Sequence, residues 1–218
     1  DFHPQLLTFG DGSAVTAWGN EAAALPTTAT LDDMKAGLEI SAAFYDPTNR
    51  TWQTAQRLTT NAHLDRNPKI AGPNRSDVMV VWVSNPANDL NGSAAKPNQI
   101  WFARWNGQTW SAPQVAGEVA YPLLKYSFAY DGASADLALA LDTDNDLKSV
   151  ADRELFRLAY RNGAWSTLQR LTTDTVPDDN PQLARDPVGN TLLVWLKGNQ
   201  ISSALNFDLT QRQVVRED

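Results

Sequence analysis

One segment of the sequence has a spacing typical of cation binding. Residues 142–154 read DTDNDLKSVADRE, with aspartates at the first, third and fifth positions. Carboxylates at such alternate positions can converge on one hard cation such as calcium. The sixth and twelfth positions lack the Gly and Glu of an EF-hand, so the segment is not one. Two interpretations stay open: a solvated acidic turn, or a degenerate calcium site formed by Asp142, Asp144 and Asp146.

Two tryptophans are candidates for ligand contact. Trp101 stands where two other repeats of the chain have Ser41 and Ser202, and Trp105 follows it on the same strand-like segment. A large aromatic side chain at a position that elsewhere carries Ser is expected to be exposed. Exposed aromatic faces suit contact with carbohydrate or protein. We therefore predict binding roles for Trp101 and Trp105.

Other chemical signatures are scarce. The chain has two His, at 3 and 63, and no Cys, and it lacks the short motifs of serine hydrolases and zinc proteases. Either His could be a ligand, but a role in lining the turns before Pro4 and Pro68 is favoured. Three aspartates, Asp1, Asp65 and Asp178, each precede a His-Pro or Asn-Pro pair. They either ring one face and bind a ligand, or fix turns by accepting backbone N–H groups.

Composition excludes several partner classes. The 218 residues carry a net charge of −7, which argues against nucleic acid and anionic lipid. The longest apolar run, residues 78–83, is far too short to insert into a membrane. No initiator Met precedes Asp1, so we expect a mature product or an excised piece.

The elements that must position these residues repeat along the chain. The pentapeptide Gln-Arg-Leu-Thr-Thr occurs at residues 56–60 and again at 169–173. A Pro is followed fourteen residues later by a Trp in three places: Pro4 and Trp18, Pro68 and Trp82, Pro181 and Trp195. A fourth unit is expected to begin at Pro122, with Leu141 in the Trp position.

Each unit reads as four short antiparallel strands. Strand-like segments alternate with turn signals, including Asn106-Gly107 and Asn162-Gly163, which favour hairpins. Four strands in each unit of about 40–60 residues are typical of a β-propeller blade. We predict an all-β propeller region over residues 1–218, with blades near 1–63, 64–118, 119–175 and 176–218. The one predicted helix, residues 31–36, lies in the long loop of the first unit.

The segment Gly107-Gln108-Thr109-Trp110 resembles the end of the Asp-box hairpin of sialidase-like propellers, Ser-x-Asp-x-Gly-x-Thr-Trp. The match is partial, since Trp105 stands where the Asp belongs. The general rhythm is also similar to the blades of large secreted bacterial repeat proteins. The resemblance implies a propeller, and an extracellular or cell-surface location. A sialidase would need an arginine cluster and a Tyr/Glu pair, which no motif here supplies.

The sequence favours a non-catalytic binding or scaffold module that contacts a protein or glycan through its inter-strand loops. The alternative is a segment of a glycosidase-like or lyase-like propeller whose catalytic residues are shared with further blades. Since the units begin and end in phase, we also predict that the chain belongs to a larger ring, self-associates, or adheres to a partner. Calcium is the one cofactor that the sequence indicates.

Overall fold

The computed structural model of the protein describes residues 2–215, so Asp1 and residues 216–218 lie outside the description. The described chain forms four antiparallel sheets, as predicted. Sheet 1 contains β1 (Phe2–Thr8), β2 (Ala14–Glu21), β3 (Leu38–Asp46), β4 (Thr51–Trp52) and β5 (Gln56–Arg57). Sheet 2 contains β6 (Leu64–Asn74), β7 (Asp77–Asn85), β8 (Asn98–Trp105) and β9 (Gln114–Val119). Sheet 3 contains β10 (Leu123–Tyr130), β11 (Ala135–Asp142), β12 (Arg153–Arg161), β13 (Ala164–Trp165) and β14 (Gln169–Arg170). Sheet 4 contains β15 (Asp178–Arg185), β16 (Thr191–Lys197), β17 (Gln200–Leu205) and β18 (Gln213–Val214).

The chain divides into two compact units, which are described separately. Unit 1 comprises residues 1–90 and 98–116, and unit 2 comprises residues 91–97 and 117–218. In sheets 1 and 3 the fourth strand is split into two short pieces, both of which pair with the third strand. The range predicted for each blade therefore contains one sheet, except that β9 ends one residue beyond the predicted boundary, at Val119.

The recurring Asn-Pro and His-Pro pairs are β-bulges in the first strands. His3, Asn67 and Asn180 have φ of 49°, 52° and 51°, in the left-handed region where Asn and His are enriched. At each one the register with the second strand shifts. An extra residue in one strand bends it and increases its twist. The His-Pro or Asn-Pro pair that marks sheets 1, 2 and 4 in the sequence is therefore set by the backbone conformation of the bulge.

Sheet 3 corrects one sequence assignment. Phe156 pairs with Leu139, just as Ser41 pairs with Trp18 and Ser202 with Trp195, so Leu139 and not Leu141 occupies the Trp position. The residue opposite Leu139 in the first strand is Tyr126. Pro122 precedes β10 and is not the counterpart of the other prolines. Sheet 3 lacks both the Pro and the Trp of the other sheets. Taking Pro122 as the counterpart of the other prolines placed the Trp position two residues too far along, at Leu141.

The predicted turn at Asn162-Gly163 is confirmed. It connects β12 to β13 as a two-residue loop, since Arg161 pairs with Ala164. Asn162 and Gly163 have φ of 51° and 83°, the pair of positive values that a type I′ hairpin turn requires. This turn twists in the same sense as the strands that it joins.

The predicted helix is present as α1 (Leu31–Gly37). Thr30 caps it, accepting the Asp33 N–H at 3.2 Å, while the Asp33 carboxylate accepts the Thr30 N–H at 2.8 Å. No helix among residues 2–215 is both long and apolar enough to cross a membrane.

Each unit has its own apolar core beneath a tryptophan. Trp82 is completely buried in unit 1 against Ile40, Leu58 and Val80. Trp195 is 2% exposed in unit 2, where it packs with Leu155 and Leu193. The first threonine of each repeated Leu-Thr-Thr segment is buried, and it accepts a backbone N–H at 2.9 Å, Thr59 from Ile40 and Thr172 from Leu155. The repeated pentapeptide therefore makes the same backbone contact in both units.

Candidate functional site

Polar residues gather at one end of each sheet. Because neighbouring strands run antiparallel, the first and third strands begin where the second strand ends, and we call this the loop end. In unit 1 it carries the acid cluster of Glu39, Asn61, His63, Asp65 and Ser84. In unit 2 it carries the basic-paired cluster of Glu154, Arg170, Asp174, Asp178 and Lys197.

The two clusters occupy equivalent positions in their sheets. Glu39 and Glu154 each pair with the residue two positions beyond the Trp position of the second strand. Asp65 pairs with Ser84 and Asp178 pairs with Lys197, again two positions beyond the Trp. Both units therefore place two acidic side chains in the same frame, and differences between them arise from the surrounding residues.

Hydrogen bonds link the acid cluster of unit 1. The Asn61 backbone N–H donates to Glu39 Oε1 at 2.7 Å, and its side-chain Nδ2 donates to Asp65 Oδ2 at 3.0 Å. Trp82 Nε1 donates to Asp65 Oδ1 at 3.2 Å. Glu39 is 2% exposed, Asp65 is completely buried, and Glu39 Oε2 has no hydrogen-bond partner. The two acids are thus held by neutral donors.

No described Lys or Arg side chain forms an ion pair with either acid. Burial raises the pKa of Glu39, and the negative charge of Asp65 raises it further, against hydrogen bonds from Thr59 and Asn61 and the positive charge of Arg57, which forms no ion pair with it. Burial also raises the pKa of Asp65, against hydrogen bonds from side chains that include Ser84 and Asn61. Both carboxyl groups therefore stay protonated to a higher pH than an exposed Glu or Asp does.

The cluster of unit 2 is neutralised by cations. Arg170 Nη2 contacts Glu154 Oε1 at 2.9 Å, and Lys197 Nζ contacts Asp178 Oδ2 at 3.1 Å and Asp174 Oδ2 at 2.7 Å. Burial acts to lower the pKa of Lys197, but the hydrogen bonds and charges of the two aspartates outweigh it and raise the pKa. This arrangement pairs Glu154 and Asp178 with cations, although Glu154 Oε2 has no hydrogen-bond partner, and it indicates a structural role.

Asp65 and Asp178 do not have the backbone donors expected from the sequence. Each accepts the indole N–H of the tryptophan in its own sheet, Asp178 from Trp195 at 2.7 Å. Asp1 lies outside the described residues. The sequence contained a signal for the missed glutamates, since Glu39 and Glu154 open the aligned third-strand segments EISAAFY and ELFRLAY.

Trp101 adjoins the acid cluster of unit 1. Its ring lies edge-on to the His63 ring, with 6.5 Å between centroids, and its Nε1 donates to Gln99 Oε1 at 2.9 Å. His63 Nδ1 lies 3.5 Å from Ser84 Oγ. Trp101 is partly buried, so part of its surface remains accessible. Its ligand-binding role stays a prediction.

Trp105, for which a binding role was predicted, lies in the core. The residue is 9% exposed, and its ring is tilted against the rings of Phe44 and Trp110, with 4.8 Å and 5.5 Å between centroids. The strand ends in a hairpin whose turn is held by Asn106 Oδ1, which accepts the N–H groups of Gln108 and Thr109. The packing accounts for a large aromatic here without a ligand.

The acidic loop of sheet 3 brings together Asp142, Asp144 and Asp152. One carboxylate oxygen of each lies within 4.8 Å of the others. Asp146 is not a member of this group: its carboxylate accepts the Lys148 N–H at 3.1 Å. Burial raises the pKa of Asp142, and repulsion from Asp152 and Asp144 raises it further.

The fold is similar to that of several solved glycosidases. A Hadza microbial sialidase superposes on 98% of this chain with a TM-score of 0.62 and 13% identity. An α-L-arabinofuranosidase of Fusarium graminearum, in complex with arabinobiose, covers 98% with a TM-score of 0.60 and 15% identity. An α-L-arabinanase of Penicillium chrysogenum, also with arabinobiose, covers 98% with a TM-score of 0.58 and 14% identity.

These likenesses decide the fold class. The chain has an all-β propeller fold of four blades, and the four sheets are its blades. The chain spans 46%, 65% and 66% of the lengths of those three proteins. No protein-family model and no curated protein matches it by sequence. The Asp-box character of its hairpins stays a prediction.

Proposed function

We propose that this chain is part of a glycan-processing propeller and that carbohydrate binds at the loop end of unit 1. One observation carries the proposal: the acids Glu39 and Asp65 have no cationic partner, although their counterparts Glu154 and Asp178 do. Titratable groups with perturbed pKa values cluster at functional sites. The likeness in fold to a sialidase, an arabinofuranosidase and an arabinanase supports a carbohydrate as the ligand.

The chemistry of glycoside hydrolysis fits two such carboxyl groups. Most glycosidases use one carboxylic acid to protonate the leaving oxygen and a second carboxylate as nucleophile or base. The acid must keep its proton near neutral pH, which a raised pKa provides. The pKa of Glu39 is raised and its Oε2 has no hydrogen-bond partner, so we assign Glu39 the role of candidate general acid.

Aromatic side chains beside the acids supply a surface for a sugar ring. Trp101 and His63 lie at the same loop end, and aromatic faces bind the apolar faces of sugars. Of the two tryptophans predicted to bind, Trp101 therefore keeps that role in the proposal. Trp105, which packs in the core, supports the strand that carries Trp101.

A second candidate is a binding module without catalytic activity. The specific observation in its favour is shielding, since Glu39 is 2% exposed and Asp65 is completely buried. In this case the acids hold the connection between sheets 1 and 2, and the loops after β2 and β7 contact a glycan or protein.

Location and assembly follow from the same proposal. Carbohydrate polymers occur mainly outside the cell membrane, which supports an extracellular or cell-surface location for this protein. Sheet 4 also exposes four large apolar side chains on neighbouring strands, namely Leu192, Leu196, Ile201 and Leu205. An exposed apolar patch supports association with a further blade, a second copy or a partner.

The test compares equivalent glutamates. The 218-residue chain is assayed for turnover of aryl α-L-arabinofuranosides, aryl sialosides, arabinan and sialylated oligosaccharides, and for binding of the same polymers by calorimetry. We expect Glu39→Gln to lower turnover by at least about 100-fold, the lower bound for loss of a general acid. Glu154→Gln, the matched control, should retain it.

Three outcomes distinguish the candidates. Turnover that survives Glu154→Gln but not Glu39→Gln supports the catalytic proposal. Carbohydrate binding without turnover, weakened by Trp101→Ala, supports the binding module. Absence of both binding and turnover across the panel would overturn the assignment of carbohydrate as the ligand.

A further inference from the structure

We propose that Asp142, Asp144 and Asp152 bind one calcium ion at the loop end of sheet 3. This set differs from the alternate aspartates that the sequence suggested, because Asp152 takes the place of Asp146. The inference does not depend on a carbohydrate ligand.

The backbone of the loop forces the three carboxylates together. Strand β11 ends at Asp142 and β12 begins at Arg153, so the ten intervening residues return to their starting point. Thr143 Oγ1 donates to the Asp152 carbonyl at 2.8 Å, and the Asp144 N–H donates to Asp152 Oδ2 at 2.9 Å. These contacts place both ends of the loop side by side. The acidic groups are consequently held close by their own backbone.

Asp142 supplies an independent reason for a ligand. Its side chain is completely buried, and neither carboxylate oxygen has a hydrogen-bond partner. A buried carboxylate without a partner is costly. The adjacent basic residue does not relieve this cost directly, because Arg153 Nη1 forms its ion pair with Asp179 at 3.0 Å. A cation at the common focus of the three carboxylates would give Asp142 the partner that it lacks.

A serine arranges the other two ligands. Ser149 Oγ lies 3.0 Å from Asp144 Oδ2 and 2.5 Å from Asp152 Oδ1, so its single O–H lies between the two carboxylates and donates to either. Hydrogen bonds to ligand carboxylates fix their orientation and tune the affinity of a metal site. The loop therefore has ligands and also a group that orients them.

The donor set favours calcium among common cations. Calcium takes six to eight oxygen ligands at about 2.3–2.6 Å, so two of its ligands span up to about 5 Å. The observed limit of 4.8 Å lies within that span. Magnesium, with ligands at about 2.0–2.1 Å, demands a stricter octahedron and usually keeps several waters. The absence of His and Cys from the cluster disfavours zinc.

Asp146 shapes the loop without joining the cluster. Its N–H donates to Asp144 Oδ1 at 2.7 Å, and its carboxylate accepts the Lys148 N–H. An Asn at this position keeps an oxygen acceptor for Lys148. Asp146→Asn is therefore a control that removes one negative charge from the same loop and leaves the proposed ligands in place.

The test is calorimetric titration of the chelator-treated 218-residue chain with calcium and, separately, with magnesium. We expect one calcium site in the wild type, tighter for calcium than for magnesium. Asp144→Asn and Asp152→Asn should each weaken calcium binding at least about tenfold, while Asp146→Asn should change it by less than about threefold. Calcium should also raise the melting temperature of the wild type, since it binds the folded chain.

Two results would overturn the inference. Identical melting curves in calcium and in chelator, with no heat of binding, would mean that the loop is a solvated acidic turn. Loss of binding in Asp146→Asn with retention in Asp152→Asn would replace this ligand set by the alternate aspartates. If Asp144→Asn or Asp152→Asn unfolds, Asp142→Asn serves in its place, and retained calcium binding there would equally contradict the site.

Discussion

The pentapeptide Gln-Arg-Leu-Thr-Thr occurs once in each compact unit, and its threonine makes the same contact in both while its arginine does not. Thr59 and Thr172 each cap the N–H of a buried third-strand residue. Arg170 pairs with Glu154, whereas Arg57 donates to the backbone carbonyls of Ala22 and Glu21. Those carbonyls belong to the end of β2 and the start of the long loop that follows it. The Arg57 guanidinium binds them and forms no ion pair with Glu39.

A second substitution completes the contrast between the units. Lys197 lies opposite Asp178 in unit 2, and the equivalent position in unit 1 is Ser84. Unit 2 thus neutralises two buried acids and unit 1 leaves them to neutral donors. Since a buried acid without a paired cation lowers stability, we expect Glu39 and Asp65 to be less favourable for folding than their counterparts Glu154 and Asp178. The comparison shows that the same strand positions carry acids paired with cations in unit 2 and the acids of a candidate site in unit 1.

The largest expected effect comes from making unit 2 resemble unit 1. Lys197→Met removes the ammonium group that pairs with Asp178 and Asp174 and keeps a similar apolar stem. Because Asp178 is completely buried, we expect a loss of about 3 kcal/mol in the free energy of unfolding, measured by urea denaturation. Lys197→Arg keeps the charge and serves as the control. A loss below about 1 kcal/mol in Lys197→Met would mean that neutralisation in unit 2 contributes little.

Much of the fold was predictable because its determinants are local. A left-handed residue before Pro and an Asn-Gly pair in a tight turn are set by backbone conformation, so they recur in the sequence wherever the turn recurs. The register of sheet 3 was predicted wrongly because these recurring residues are missing from it. Tyr126 and Leu139 fill the positions of Pro and Trp by packing, which leaves no repeated letter to count.

The candidate site was less predictable because its character depends on partners distant in sequence. Asp65 was visible as a repeated residue, but the lack of a cation beside it depends on where Arg57 points and on Ser84. Asp152 was missed because the spacing pattern assumes that a loop follows one cation along consecutive residues. The return of the chain, which joins Thr143 to Asp152, is a property of the folded loop.

A smaller effect concerns pH, because the pKa values of Glu39 and Asp65 are raised above their ordinary values of 4.5 and 3.8. At pH values between the ordinary and the folded-state pKa values, the unfolded chain has released these protons while the folded chain still holds them. The two groups therefore lower the free energy of unfolding as pH rises from about 4, and the decline ends above their folded-state pKa values. The double variant Glu39→Gln, Asp65→Asn should show a weaker decline than the wild type in urea denaturation between about pH 4 and pH 8. An unchanged difference between the two proteins across that range would refute the raised pKa values.

The most direct test of the central claim compares the stabilities of Glu39→Gln and Glu154→Gln at pH 7.5. Glutamine removes the charge from either side chain and keeps its size. In unit 2 the change breaks the contact with Arg170, and we expect a loss of about 1 kcal/mol because the arginine is partly exposed. In unit 1 it replaces a buried carboxyl group that has no ion-pair partner, so Glu39→Gln should be at least as stable as the wild type. Equal losses in both variants, measured by urea denaturation, would contradict the distinction between a cluster paired with cations in unit 2 and a candidate site without ion pairs in unit 1.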